Sequence, residues 1–277
     1  MSVLKYSVLM AVYSGERSEF LHESLESMFA QSDPTDDFVL VCDGPLTSEL
    51  DKVVTHYESK HPGIFHVTRL SENLGLAGAL NSGLTHCKHD WVVRMDSDDI
   101  AMHHRFERLM RLQKETGADI VGSAVFEFEK AIGDTGITRS PPADHENIKR
   151  FARRRNPFNH PSVMFRKSAV LRVGGYDEYP LFEDYQLWVK MLQAGYIAAN
   201  EPEPLLHMRI GSGMHKRRGG ISYFRTMLHF RAWMKKTGFI NSFDFAVCVL
   251  IHGLSCLLPN PARRWLYNGV LRKQGTV

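Results

Sequence analysis

The stretch WVVRMDSDDI, residues 91–100, places three carboxylates within four positions: Asp96, Asp98 and Asp99. Like charges this close repel and raise one another's pKa unless something positive sits among them. Asp and Ser also favour turns and helix N-caps, so a solvated turn would use the same residues. A metal ion is the sharper reading. Mg2+ usually takes one or two carboxylates and fills its other positions with water and substrate phosphates. In an extended strand end, Asp96 and Asp98 at i and i+2 would face one side and could share such an ion.

A second acidic pair, Glu183 and Asp184, opens the run FEDYQLW (182–188). At a helix start the dipole favours negative charge, so capping is one reading. The other is a general base beside a Phe/Tyr/Trp wall that raises its pKa. The chain has no GxxxxGK[ST] loop and no GxGxxG after its first apolar run, which argues against ATPase and dinucleotide chemistry. A phosphate-bearing substrate must then be gripped by metal and side chains, for which Arg94, His215, Lys216, Arg217 and Arg218 are available. HKRRGG (215–220) is either a solvated basic loop or, among Gly211, Gly213, Gly219 and Gly220, a mobile flap over phosphates. Asp43, before Gly44, suits either a base N–H or an Asx turn. Asn73-Leu74-Gly75 suits a helix cap with room for close ligand approach. His160 lies in PFNHPSVMF, a loop stiffened by Pro157 and Pro161, and is a candidate binding residue.

Elements must bring these residues together. Tyr6–Tyr13 is an apolar run long enough for a strand buried on both faces. Phe20, Leu21, Leu25, Met28 and Phe29 share a helical face. Phe38–Gly44 predicts a second strand, Leu50–Tyr57 a helix, Phe65–Leu70 a third strand, Gly75–Leu84 a small-residue helix, and WVVRMD a fourth strand. A helix around His104–Glu115 follows. This alternation predicts an α/β fold with a mainly parallel sheet wound by right-handed crossovers. Ligands then bind beyond the carboxyl ends of the strands, where Ser14–Glu16, Asp43–Gly44 and Asp96–Asp99 fall. Further on, IVGSAVFEFE predicts a strand, 133–144 a loop, Ser162–Arg166 a short strand and Glu183–Ala194 an amphipathic helix.

The 277 residues suit one large α/β domain (1–218) with a helical, basic C-terminal appendage (219–277). No stretch near the N-terminus resembles a signal peptide, and Cys42, Cys87, Cys248 and Cys256 form no CxxC pair, so reduced thiols in a cytoplasmic protein are expected. From Leu205 onward there are 12 Lys/Arg against one acid, Asp244, whereas the first 204 residues hold 22 bases and 30 acids. Basic tails meet phosphates, anionic lipids or nucleic acid, but no nucleic-acid reader fold is recognised. Ser242–Pro259 is the most apolar stretch, yet Asp244 and His252 interrupt it, short of the ~20 residues of a spanning helix. Arg225, Arg231, Lys235 and Lys236 precede it; Arg263, Arg264, Arg272 and Lys273 follow. Such a helix lies in a membrane interface or packs on the core or another subunit.

In sequence order, VLMAVYSGE, VCDG, NLGLAGALNSGL, RMDSDD, FNHPSVMFRK, GGYDE and FEDYQLW resemble family 2 glycosyltransferases of the GT-A fold. The likeness covers about residues 6–215 and is strongest to bacterial enzymes of exopolysaccharide or lipopolysaccharide assembly. It implies inverting transfer from a nucleotide-diphosphate sugar, with a UDP-sugar first in line, to a saccharide hydroxyl, the acceptor being lipid-linked. Residues 1–119 would be the nucleotide-sugar half and 120–218 the acceptor half. The Ala11, Val12 and Tyr13 backbone with Asp43 would hold uracil, and Asn73 and Gly75 would lie near the nucleoside. Glu16, Arg94 and Ser97 join the donor side. Asp96 and Asp98 would meet ribose and a Mn2+ or Mg2+ on the diphosphate, with His215 as a further ligand. Asp184 would be the base, while His160, Glu183, Trp188, Arg217 and Arg218 would contact acceptor or phosphates. The family's ED motif often ends in RW-type residues; here Gln186 stands mid-motif, in a place to tune acceptor contacts. A lipid-linked acceptor implies peripheral attachment to the inner face of the cytoplasmic membrane. A nucleotidyltransferase would carry a Gly- and Lys-rich N-terminal loop, absent here, and a non-catalytic nucleotide-sugar module would not need both acidic motifs.

Overall fold

In the computed structural model, which describes residues 5–179, 181–211 and 220–257, the first apolar run forms β1 (Tyr6–Val12), buried at every position except Ala11. The chain continues through α1 (Ser18–Phe29), β2 (Phe38–Cys42), α2 (Ser48–Lys60), β3 (Phe65–Arg69), α3 (Gly75–His86) and β4 (Trp91–Asp96). All four strands are parallel, in the order β3-β2-β1-β4. Their near-continuous apolar sequences follow from burial on both faces. Leu9, Val39, Val41 and Val92 feed one core, and Val8, Met10, Leu40 and Val93 feed the other. The small-residue helix α3 comes very close to the sheet: a Cβ at Gly83 would stand 2.3 Å from Leu9 Cδ1. Between β1 and β4 the direction of winding reverses, which opens a crevice at their carboxyl ends. There Ala11 and Asp96 are in register.

The second half contains β5 (Ile100–Ala101), α4 (Arg105–Thr116), β6 (Ile120–Phe128), β7 (Ile137–Arg139) and α5 (His145–Phe151). A 3-10 turn (His160–Ser162), β8 (Met164–Arg166), α6 (Lys167–Arg172), α7 (Glu183–Gln193) and β9 (Ala198–Arg209) follow. β8 runs antiparallel to both β4 and β6, and β9 parallel to β6, so the sheet is mixed, ordered β3-β2-β1-β4-β8-β6-β9-β5 with β7 beside β6. Two expectations need correction, and one strand is new. The stretch 133–144 includes β7 rather than being all loop. The strand expected from Ser162 starts at Met164, because the chain around Pro161 first takes the 3-10 turn. The twelve-residue β9 was not foreseen: Pro202 and Pro204 interrupt its pattern, and its register on β6 shifts on either side of Ala124.

The C-terminal helices α8 (Gly220–Lys236) and α9 (Ser242–Leu257) lie against the α/β body. Met227, Phe230 and Met234 are buried in the same core as α7, and the Phe230 ring stacks 4.8 Å from Phe182 and sits 4.9 Å from Tyr185. Buried Arg231 donates to the carbonyls of Arg153 (3.2 Å) and Arg154 (2.7 Å) and to the Tyr185 hydroxyl (3.1 Å). On α9 a carboxylate faces inward while some large apolar side chains face solvent. Asp244 is buried and accepts from Arg154 (2.9 Å), whereas Phe243 and Leu250 are 68% and 64% exposed. Among the described residues, no helix is long and apolar enough to cross a membrane.

Candidate active site

Asp96 is the last residue of β4, and the chain turns at Ser97 and Asp98 before β5. The acids therefore converge through a turn, not along an extended strand end, and the turn brings in a third. Asp96, Asp98 and Asp99 each offer an oxygen within 4.8 Å of the others. Ser24 Oγ donates to the Asp96 carbonyl (2.9 Å), and Ser97 Oγ donates to Glu16 (3.0 Å). The fully buried Arg94 guanidinium pairs with Asp96. Below the turn, buried Arg105 donates to the carbonyls of Arg94 (2.8 Å) and Pro161 (2.7 Å), tying β4 to the His160 turn. Burial, together with the Asp96 and Glu16 carboxylates, pushes Asp98 up to about 7. Burial and Asp96 raise Asp99 as well; one of its oxygens takes the Arg209 N–H (2.7 Å), and Oδ2 is buried without a partner. Carboxylates crowded beyond what Arg94 compensates, with one orphaned oxygen, fit a hard divalent cation such as Mg2+ or Mn2+.

The donor-side candidates fall together at the ends of β1, β2 and β3. The Asp43 N–H donates to the Val12 carbonyl (2.8 Å), and the Asp43 carboxylate accepts from the Leu74 N–H (2.7 Å). Asn73 donates to the Asp43 carbonyl (3.2 Å) and accepts from the Gly75 N–H (3.2 Å), so Asp43 and Asn73–Gly75 form one corner. Gly44 makes this approach feasible: its φ is +83°, and a Cβ there would lie 2.9 Å from the Asn73 nitrogen. Ala11 is half-buried, Val12 buried, and the Tyr13 ring exposed.

Across the crevice, α7 starts at Glu183. Asp184 accepts from Asn156 Nδ2 (2.6 Å) and from the Tyr185 N–H (2.7 Å). Burial, then Asp184, raises Glu183, whose Oε2 is buried without a partner. His160 meets the Tyr176 hydroxyl at 3.2 Å, and burial with the Arg94 charge holds its ring well below the usual histidine range, hence neutral. Arg94 thus acts on both sides: it pairs with Asp96, opposes the rise that burial and Asp184 impose on Glu183, and adds to the lowering of His160. Trp188 does not reach the crevice. It is fully buried, edge-on to Phe158 (5.4 Å) and near Phe165 and His160, so it supports the His160 turn instead of contacting acceptor. Gln186 is likewise buried, which corrects its expected contact with acceptor. His215, Arg217 and Arg218 lie outside the described residues. Asp99, Asn156 and Arg209 were not among the expected site residues. Asn156 had one available signal, its position beside Pro157 in the loop that holds His160; Arg209 had none.

A Rossmann-like half joined to a mixed sheet, with one acidic cluster at the β4 end and another opening α7, has the architecture of the GT-A fold. The sequence profile of glycosyl transferase family 2 matches residues 7–179, and the chain belongs to that family. It is 37% identical over 270 residues, 97% of each chain, to an Escherichia coli UDP-Gal:alpha-D-GlcNAc-diphosphoundecaprenol beta-1,3-galactosyltransferase. It is 36% identical to the amylovoran biosynthesis glycosyltransferase AmsE of Erwinia amylovora, over 95% of this chain and 97% of that one. Among solved structures, a mannosyltransferase from Pyrobaculum calidifontis in complex with GDP-Man and Mn2+ superposes with a TM-score of 0.65. It shares 18% identity, over 94% of this chain and 71% of that chain.

Proposed function

We propose that this enzyme transfers a sugar from a UDP-sugar to a hydroxyl of a lipid-linked saccharide, with inversion, during assembly of a bacterial surface polysaccharide. The observation that carries the reading is the cluster of Asp96, Asp98 and Asp99 at the end of β4, held by the buried Arg94, together with the acids Glu183 and Asp184 that open α7. The relatives that make lipid-linked galactosides and amylovoran support the substrate class. On this reading residues 1–119 form the donor half and 120–218 the acceptor half. Ala11–Tyr13 and Asp43 hold the uracil, with Glu16, Asn73, Gly75, Arg94 and Ser97 on the same side. Asp96, Asp98 and Asp99 hold a divalent cation, which when bound neutralises charge on the departing diphosphate. Asp184, oriented by Asn156, takes the proton of the acceptor hydroxyl. That oxygen forms its bond to the anomeric carbon as the bond to the diphosphate breaks on the opposite face, releasing UDP. The neutral His160 and Glu183 border the acceptor side.

A panel of nucleotide sugars offered with a polyprenyl-diphosphate-linked N-acetylhexosamine tests this. Release of UDP and a β-linked product from an α-linked donor is the expected result. A retained anomer by NMR would overturn the mechanism, and no consumption of any nucleotide sugar would overturn the activity.

Membrane attachment belongs to the same proposal, at the inner face of the cytoplasmic membrane. Phe243, Leu250 and Ile251 project outward from α9, on the part of the chain that carries the basic excess. The complementary surface is anionic lipid. Removing residues 242–277 altogether would strip Asp244 from Arg153 and Arg154, so point substitutions on the outer face are the sound test. The triple variant Phe243→Ser, Leu250→Ser, Ile251→Ser should bind anionic vesicles at least about tenfold more weakly, given the apolar area lost, with hydrolysis of UDP-sugar unchanged. Wild-type protein that ignores such vesicles at low salt would reject the membrane reading.

A further inference from the structure

Arg209, the last residue of β9, lies behind the acidic turn and touches it twice. Its backbone N–H donates to Asp99 (2.7 Å), and its Nε donates to the Asp98 carbonyl (2.9 Å). The guanidinium is sandwiched between the rings of Phe20 on α1, at 3.7 Å, and Phe128 at the end of β6, at 4.4 Å. Its remaining arm donates to Glu23 of α1 (2.6 Å). The side chain is only 7% exposed.

These contacts differ in kind from those of Arg94. Arg94 pairs with an acid of the turn, Asp96. Arg209 spends its charge on Glu23 and its hydrogen bond on main chain, so no turn carboxylate is neutralised by its side chain. Three carboxylates with oxygens within 4.8 Å push one another apart, and a turn free to relax would splay them. Holding the main chain at Asp98 and Asp99 from behind keeps them converged. The planar fork held between two rings suits this in a way a lysine ammonium does not.

We propose that Arg209 is a positioning residue that preorganises the Asp96–Asp99 turn for its divalent cation. This rests on reading that turn as the metal site. Positioning and plain electrostatics predict opposite signs. If Arg209 acted only as a nearby positive charge, its removal would tighten cation binding; if it positions the turn, removal weakens it.

The test is Mn2+ binding in the presence of UDP, followed by the electron paramagnetic resonance of free Mn2+, on the wild-type chain, Arg209→Met and Arg209→Lys. Circular dichroism and melting without metal are recorded alongside. Loss of a residue that orients metal ligands costs about 10–100-fold in metal affinity. Arg209→Met should therefore weaken Mn2+ binding by about tenfold or more. Arg209→Lys should be weakened nearly as far despite its charge, and the Mn2+ concentration for half-maximal turnover should rise in parallel. Equal or tighter Mn2+ binding by Arg209→Met overturns the proposal. So does a pattern in which both variants melt lower yet bind Mn2+ like the wild type, since that is a purely structural role. A wild-type chain that binds no Mn2+ with UDP defeats the metal reading itself and the proposal with it, an outcome distinct from the other two.

Discussion

Asp98→Asn should lower transfer by at least about 10²-fold and abolish the response to added Mn2+ or Mg2+, with the fold intact. The magnitude follows from the several kcal/mol of charge stabilisation that a metal supplies to a leaving group, at 1.4 kcal/mol per factor of ten. Asparagine keeps the shape of the side chain and removes only its charge. That charge is confined by burial beside Asp96 and Glu16, which pushes Asp98 up to about 7. Without metal the substitution relieves repulsion, so the variant should melt no lower than the wild type. With Mn2+ the order should reverse: a ligand that binds only the folded state raises its melting temperature, and the variant has lost a ligand atom. Calorimetric melts with and without Mn2+, alongside turnover, check both halves. Full activity in Asp98→Asn, or undiminished wild-type turnover in excess EDTA, would remove the metal from the reaction.

The base is the second large effect. Asp184→Asn should cut turnover by about 10²–10⁴-fold, the range for loss of general-base catalysis. Asparagine has one acceptor oxygen, so it can keep the bond from Asn156 or the one from the Tyr185 N–H but not both, and a melt recorded beside the kinetics separates that local loss from loss of the base. Affinity for UDP-sugar should hardly change, since the donor-side residues lie across the crevice at the ends of β1, β2 and β3. Steady-state kinetics with separate donor and acceptor saturation distinguish the outcomes. A variant that loses donor affinity but keeps turnover at saturation would make Asp184 a donor ligand or a helix cap.

The parallel half of the sheet was legible because its strands are buried on both faces and read as unbroken apolar runs. Asp43 and Asp96 stood out as candidates because each stands at the end of such a run, and Asp98 because it lies two residues beyond Asp96. The antiparallel half was harder. β9 carries two prolines and pairs through register shifts, so its periodicity is broken at the places that matter. The shape of the acidic motif was misjudged, since spacing alone does not tell a strand end from a turn. Trp188 was read as wall because aromatic residues near an acid look alike in sequence, whether they line a crevice or fill a core. Asn156 and Arg209 act over 28 and 111 positions, and nothing local announces such contacts. The helices after residue 219 were read as a basic appendage meeting membrane, core or another subunit, and Phe230 and Arg231 show that composition marks charge and not attachment.

That last attachment bears on the order in which the protein is made. Domains fold as units during synthesis, and although the sequence of β1 to β4 emerges first, these strands share one sheet with β8, β6, β9 and β5. The acidic turn has to wait for Arg209, and the floor under α7 for Phe230 and Arg231. A growing chain that has released only β1 to β4 is therefore still without the residues that support both acidic clusters. On the proposed reading of the site, competence for transfer arrives only after most of the polypeptide has left the ribosome.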